Sequence, residues 1–424
     1  MPFPIYLSGY YNLTGKPVFE GGSEQSMWIK ANGTNSTEIE DNVIERVLGM
    51  YPEEKLIDRP IFSEAFANGH IDFMDLQAES EKILIPWQMF LLNRTNLDNQ
   101  IAQIDKQRKY KVSSKLIAKR KGTGNVTSKR IIDRLIRQQN FLTSSVTFSN
   151  NSFCGSLQGM QTSQAVNHIL THFKIDRSTL WSFTSKGRAL KYFIAQTEDK
   201  NINVSRGVLT NKLLPAWQVV QNDVYKSTSG FVIRDDQVPF VFLPSEVNPD
   251  EVESRQIYTL IYLIAIIGLE QYDYFLDKNF KAKILKAKGI SAKLHSITTE
   301  LLIPTTEVEP LREQSITSNM RDDLSNKFKV SPLALVTTLR MRGIISKQEY
   351  DALKPPVYVP KKTKTHMNSP RVSTSVEKFC GRITFQAINI GIRSGSLSSV
   401  QAQHLIWGAS NKKGYRKYRN ELGI

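Results

Sequence analysis

The residues best suited to chemistry in this sequence are two histidines four positions apart. His168 and His172 lie in a predicted helix from Thr162 to Phe173, where that spacing places them on one face and suits zinc binding. No glutamate follows the first histidine, and no third ligand is evident. We therefore interpret the pair as half-buried histidines on an amphipathic helix.

Other catalytic motifs have little support in the residues. The acidic residues Glu300, Asp235 and Asp236 form no carboxylate pair, and neither a nucleophile elbow nor a phosphate loop is visible. The sequence Gly-Thr-Gly-Asn from Gly122 lacks the Gly-Lys-Ser/Thr of a phosphate loop and indicates a turn. A nuclease would need clustered metal-binding acids, which the sequence lacks.

Lysine and arginine offer a different chemistry, the electrostatic binding of a polyanion. The formal net charge is +16 and the pI is about 9.6, which is typical of nucleic-acid binding or of a basic protein without such a partner. Ile104 to Arg137 holds twelve Lys/Arg and two Asp, so +10 lies in 34 residues. Residues 105–124 have few large apolar side chains and predict a loop lying on phosphate. Its candidate contacts are Lys106, Arg108, Lys109, Lys111, Lys115, Lys119, Arg120 and Lys121.

A second basic segment, Lys412 to Leu422, is predicted to be a helix. Its cations interleave with Tyr415 and Tyr418, a mixture that suits phosphate contact and base stacking but also fits a solvated basic helix. The candidate contacts are Lys412, Lys413, Arg416, Lys417 and Arg419.

A compact helical unit is predicted over residues 318–350. Ser331 followed by Pro332 favours the start of a helix that ends before Gly343. This helix is a candidate to enter a groove of DNA. Its proposed contacts are Thr337, Thr338, Arg340 and Arg342.

The elements that would position these residues predict an α+β fold. Short strand candidates begin at Tyr192, Gly207, Gly230 and Val238, and two helices, Ile257–Tyr272 and Lys281–Leu302, follow them. Residues 61–100 read as short helices, compatible with a helix-turn-helix unit or an ordinary helical bundle.

Six segments of the sequence carry a family resemblance through their order and spacing. The segments are His70–Trp87, Ser229–Leu243, Tyr258–Leu260, Glu300–Pro304, Leu324–Ile345 and Gly381–Trp407. Together they resemble the ImmA/IrrE family of zinc-metallopeptidase-like proteins, in its long form with a helical N-terminal region. The resemblance implies a zincin-like central domain with a small sheet, flanked by helical, helix-turn-helix-like modules.

The chain departs from the family at its metal site. The family motif FTL-x-HE-x-x-H supplies two zinc ligands and a glutamate that activates water. Tyr262 stands at the first histidine, Leu263 at the glutamate, Ile266 at the second histidine, and Ser291 at the acidic third ligand. Because an apolar pocket excludes a charged metal, we expect no zinc, no other cofactor and no peptidase activity.

The resemblance implies a setting in mobile elements, prophages, toxin–antitoxin or defence loci. The first hypothesis is a DNA-associated regulator or antitoxin-like factor. The alternative is a pseudoenzyme whose inactive cleft between Val232 and Leu302 binds a partner such as a toxin, repressor or defence component, for instance by strand pairing, without cleaving it.

The predicted organisation has six parts. These are an extension at 1–60, a helical region with a basic linker at 61–145, the ImmA/IrrE-like domain at 146–310, a helical module at 311–354, a linker at 355–375 and a basic helical module at 376–424. The distant pair Cys154 and Cys380, and the lack of a signal peptide or long apolar stretch, predict a cytoplasmic protein without a membrane partner.

Overall fold

The computed structural model describes residues 26–50, 56–83, 85–113, 123–207, 228–244, 252–277, 287–355, 371–408 and 411–424. The fold is α+β, as the sequence predicts, with two small mixed sheets surrounded by helices. Of the helices in these ranges, none is both long and apolar enough to cross a membrane.

A three-stranded sheet begins the described chain. Strands β1 and β2 form a hairpin at Asn32 and Gly33, both with positive φ, and β3 pairs in parallel with β1. The buried core runs from Met27 to Leu97, so it crosses the boundary that the sequence predicts at residue 60. The elements are β1 (Ser26–Ala31), β2 (Thr34–Glu40), α1 (Asp41–Leu48), α2 (Pro60–Asn68), β3 (His70–Asp72), α3 (Phe73–Ile83) and a 3-10 helix (Trp87–Leu91).

Strand β3 separates α2 from α3 and hydrogen-bonds to β1. Residues 61–100 therefore match neither alternative, a helix-turn-helix unit or an ordinary helical bundle, because a strand interrupts their helices and pairs with β1.

Two long helices connect the N-terminal sheet to the rest of the molecule. They are α4 (Arg94–Lys111), capped by the Asn93 side chain, and α5 (Thr123–Ser145). The loop predicted over residues 105–124 is wrong for its first part, because α4 continues to Lys111. The lysines, arginines and glutamines of this segment are good helix formers, and that preference prevails.

A four-stranded sheet lies at the centre, in the order β4 (Asn203–Arg206), β6 (Phe240–Leu243), β5 (Thr228–Ile233), β7 (Leu276–Asp277). Strands β4 and β6 are parallel, and the other pairs are antiparallel. Strands β5 and β6 confirm the candidates at Gly230 and Val238. The strand predicted at Tyr192 is wrong, because this residue lies within helix α8; the strand predicted from Gly207 lies largely outside the described residues.

Both faces of this sheet are buried, by different parts of the chain. Side chains alternate along β5 and β6, as in any strand. Val232, Val241 and Leu243 enter one core. Phe231, Ile233, Phe240 and Phe242 enter the other.

The first core contains the helices from residue 162 to residue 353. At its centre α9 is buried on all sides from Ile257 to Ile267. The helical unit at 318–353 shares this core through Phe328, Leu335 and Leu339. The helices are α6 (Thr162–His172), α7 (Arg177–Ser182), α8 (Lys186–Glu198), α9 (Val252–Leu269), α10 (Gly289–Leu302), α11 (Thr305–Val308), α12 (Ser318–Lys327), α13 (Pro332–Met341) and α14 (Lys347–Leu353).

The second core joins α5 to four C-terminal helices on the opposite face of the sheet. Gly381, with φ +79°, separates the first two, and a Cβ there would lie 2.6 Å from the Asn203 amide. The helices are α15 (Val372–Cys380), α16 (Arg382–Arg393), α17 (Ser399–Trp407) and α18 (Lys412–Leu422).

Candidate functional site

The four positions assigned to metal chemistry lie on α9 and α10. Leu263 and Ile266 are fully buried, and Tyr262 is 2% exposed. Burial raises the pKa of Tyr262 to about 12, although the nearby Ser291 side chain acts to lower it. The positions of the first and third ligands therefore meet in space, occupied by two neutral hydroxyl groups.

His295 completes this cluster from the next turn of α10. Its Nδ1 lies 2.8 Å from the Tyr258 hydroxyl, and its ring centroid lies 4.9 Å from that of Tyr262. Burial lowers the pKa of His295 to about 4 and raises the pKa of Tyr258 well above its ordinary value. Both groups are therefore neutral near pH 7 and share a hydrogen bond within the core.

These residues do not fit a hydrolytic zinc centre. Such a centre needs three protein ligands of nitrogen, sulfur or oxygen type and a base that takes a proton from water. Leu263 cannot take a proton, and Ile266 cannot bind a metal. Within the described ranges, no group of three or more His, Cys, Asp or Glu is placed to hold a metal ion.

The histidine pair on α6 packs against an aromatic ring. The ring centroids of His168 and His172 are 6.0 Å apart, and that of Phe153 lies 5.0 Å from His172. Burial, together with the nearby charges of Lys200 and His168, lowers the pKa of His172. This packing agrees with the interpretation of half-buried histidines on an amphipathic helix.

Helix α13 does not present a face that could read DNA, so the prediction that it enters a DNA groove is wrong. Thr337 and Thr338 are 4% and 2% exposed because they face the first core. Arg340 donates to the Ile345 carbonyl at 3.3 Å, and Arg342 donates to Glu300 at 2.8 Å. These arginines tie the helix to its neighbours.

Two of the four described candidates on α4 are also structural. Arg108 is 5% exposed and binds the carboxylates of Asp133 and Asp105. Lys111 donates to Gln139 at 2.6 Å and to Asp235 at 3.1 Å. The phosphate contacts predicted for Arg108 and Lys111 are therefore wrong.

The other two candidates on α4, Lys106 and Lys109, are exposed. Their side chains remain accessible to a polyanion. The remaining candidates lie outside the described residues: Lys115, Lys119, Arg120 and Lys121.

Helix α18 carries an exposed row of cations, which we call the α18 basic face. Its members are Lys412, Lys413, Arg416, Lys417 and Arg419. The tyrosines between them turn inward: Tyr415 is 7% exposed and Tyr418 is fully buried, both against Trp407. The base stacking predicted for these tyrosines is therefore wrong, because helical spacing places them on the core side.

The carboxylate of Glu421 fixes the position of α18. It accepts hydrogen bonds from the backbone N–H groups of Val372 and Ser373 and from the Ser373 hydroxyl, at 2.7–3.2 Å. Burial acts to raise the pKa of Glu421, but these hydrogen bonds outweigh it and lower the pKa. The basic face is therefore held rigidly on the second core.

One exposed aromatic residue was not among the site residues predicted from the sequence. Tyr110, at the end of α4, is 59% exposed. The Arg234 guanidinium carbon lies 5.1 Å from the ring centroids of both Tyr110 and Tyr272. Because these residues are far apart in sequence, only the basic surroundings of Tyr110 could have suggested a role.

The β4 edge of the central sheet is covered. The Asn203 amide donates to the Cys380 carbonyl at 2.7 Å, and the Ser205 hydroxyl donates to the Phe379 carbonyl. Asn203, Val204 and Ser205 are buried. A partner peptide therefore cannot pair with this edge, which removes one route to the alternative of a peptide-binding pseudoenzyme.

The described structure thus offers a buried neutral cluster on α9 and α10, and an exposed basic face on α18. The first lacks the ligand set of a hydrolytic zinc centre, and the second can bind anions. Comparison with protein-family models, curated proteins and solved structures finds no match to this chain.

Proposed function

We propose that this chain is a catalytically inactive ImmA/IrrE-like protein that acts as a DNA-associated regulator or antitoxin-like factor. Its central region would be the zincin-like domain, and its C-terminal helices would supply the nucleic-acid contact. The observation that carries this proposal is the α18 basic face, five exposed cations on one helix that packs on the second core.

The inactivity follows from the residues on α9 and α10. In a related peptidase, the positions of Tyr262 and Ser291 would carry two zinc ligands; here two neighbouring hydroxyl groups stand in their place. The fully buried side chains of Leu263 and Ile266 occupy the remaining positions. Placing a divalent cation among these groups would cost its hydration without supplying a compensating negative charge.

The DNA contact follows from geometry and charge. Eleven residues of α18 span about 16 Å, enough to meet several phosphates along a duplex. Arg416 and Arg419 can each bind a phosphate through two N–H groups, whereas the lysines act as point charges. The buried tyrosines and the hydrogen bonds of Glu421 to Val372 and Ser373 hold these cations in place before DNA binds.

A salt titration tests the proposal. The affinity for a duplex, followed by fluorescence anisotropy, should fall with salt at a log–log slope of about −0.9 per neutralised phosphate, or on the order of −5 for six. The combined variant Lys413→Gln, Arg416→Gln, Lys417→Gln should bind more weakly and lower the slope magnitude by about 2 to 3.

A matched control carries the same charge change elsewhere. Arg188, Lys191 and Lys347 are exposed on α8 and α14, and their replacement by glutamine should leave the slope near that of the wild type. A flat salt response of the wild type would exclude DNA binding through phosphates. Equal losses in both triple variants would show that net charge, not α18, is responsible.

A further inference from the structure

We propose that Tyr110 is a stacking platform for an unpaired base, so that the chain binds nucleic acid with a single-stranded stretch at the end of α4. This inference rests on the proposed function, because it assumes that the chain binds nucleic acid. It adds the form of the ligand: a strand whose bases are free to leave the helical stack.

The exposure of Tyr110 is the starting observation. Among the large apolar side chains that the described residues expose, Tyr110 is the one aromatic. A single exposed apolar side chain is common on protein surfaces and needs no explanation by itself. The surroundings of Tyr110 distinguish it.

A rigid base supports the ring. Arg234 lies between Tyr110 and Tyr272, with its guanidinium carbon 5.1 Å from each ring centroid. The Arg234 backbone N–H donates to the Lys111 carbonyl at 2.7 Å, and the Ser113 hydroxyl donates to the Asp273 carbonyl at 2.8 Å. The aromatic surface is thus held in place, which reduces the entropy lost when a base stacks on it.

The charges beside the ring suit a phosphate backbone. Lys106 lies one helical turn before Tyr110 on the same face, and Lys109 adjoins it; both are exposed. The nearby Asp235 carboxylate is paired with Lys111 at 3.1 Å. The two lysines can therefore hold backbone phosphates while a base covers the ring.

This combination favours a single strand over a duplex. Aromatic side chains with adjacent cations are the usual means of binding single strands, because every base has a π face. In a duplex those faces are already stacked on neighbouring bases. Tyr110 therefore gains a partner only where a base is unpaired.

The test compares two probes and three variants by fluorescence anisotropy at one salt concentration. The probes are a labelled thymine oligonucleotide and a labelled duplex, each of about 20 nucleotides per strand. Tyr110→Ala should weaken single-strand binding by about 5- to 100-fold and change duplex binding less than about twofold. Tyr110→Phe should keep the single-strand affinity, since it keeps the ring. Met74→Ala removes another exposed side chain, 67% exposed, and should change neither affinity.

Distinct results would overturn the inference and the proposed function. If Tyr110→Ala binds the single strand as tightly as the wild type, or Tyr110→Phe binds as weakly as Tyr110→Ala, stacking is excluded while salt-dependent duplex binding keeps the proposed function. Equal loss for both probes would assign Tyr110 a structural role and also reject the inference. If the wild type binds neither probe, the proposed function fails, and the inference fails with it.

Discussion

At the scale of single residues, burial decides which groups can do chemistry. Tyr258, Tyr262 and His295 are polar, and burial strengthens their preference for the neutral form, because it raises the pKa of both tyrosines and lowers the pKa of the histidine. The residue types alone predict that Leu263 and Ile266 do not bind a metal, because neither side chain carries a ligand atom. They could not predict His295 beside Tyr262, because that contact depends on how α10 lies against α9.

Introducing the zinc ligands of the ImmA/IrrE motif should create a metal site. The triple variant Tyr262→His, Ile266→His, Ser291→Asp places two histidines one helical turn apart on α9 and an aspartate beside the first of them, so it should retain about one zinc ion per chain by mass spectrometry. Added zinc should raise its melting temperature, because metal binds the folded state alone. The wild type and the double variant without Ile266→His provide the comparison. A folded triple variant that ignores zinc would contradict the proposed correspondence of positions.

At the scale of elements, the sequence predicted helix ends correctly where residues within the helix itself determine them. Helix α13 begins after the Ser331 cap and ends before Gly343, as expected, because cap and termination are encoded within the segment. The strand predicted at Tyr192 was wrong because Leu190, Phe193 and Thr197 follow helical spacing and face the core. The Asn32-Gly33 pair is a common turn sequence of β-hairpins, although no hairpin was predicted there.

The approach of β5 to α9 depends on Gly230. A Cβ at this position would lie 2.6 Å from Thr259 Cγ2 and 2.8 Å from the Phe242 carbonyl oxygen. Gly230→Ala should therefore lower the free energy of unfolding by about 2 to 3 kcal/mol, measured by urea denaturation. Gly33→Ala is the control: its Cβ meets no atom within 4 Å, so only its positive φ is penalised, at about 1 kcal/mol. Equal losses in the two variants would refute the close-contact explanation.

At the scale of the whole molecule, three cores organise the described chain, and the sequence did not predict their membership. The α+β class and most helices follow from periodicity. The grouping does not, because α5 and the C-terminal helices meet across the sheet through residues distant in sequence, such as Gln138 and Leu405. The same long-range packing decides which cations of α4 and α13 are accessible.

Removing residues 371–424 should therefore unfold the central sheet. The deletion uncovers Phe231, Ile233, Phe240 and Phe242, an apolar face too large to leave in water. We expect loss of cooperative thermal unfolding and strong binding of a hydrophobic dye. Deleting residues 1–92 is the control, since most of that segment's core is its own, and the remainder should still unfold cooperatively. A shortened chain lacking 371–424 that melts sharply would contradict the shared core.

The double burial of the central sheet has a consequence for biosynthesis. Phe242 leaves the ribosome long before Val372. One face of the nascent sheet therefore stays exposed to solvent while the intervening helices are synthesised. Exposed aromatic side chains on an unfinished sheet attract other chains. The newborn protein should thus depend on chaperones until α15 to α18 have emerged.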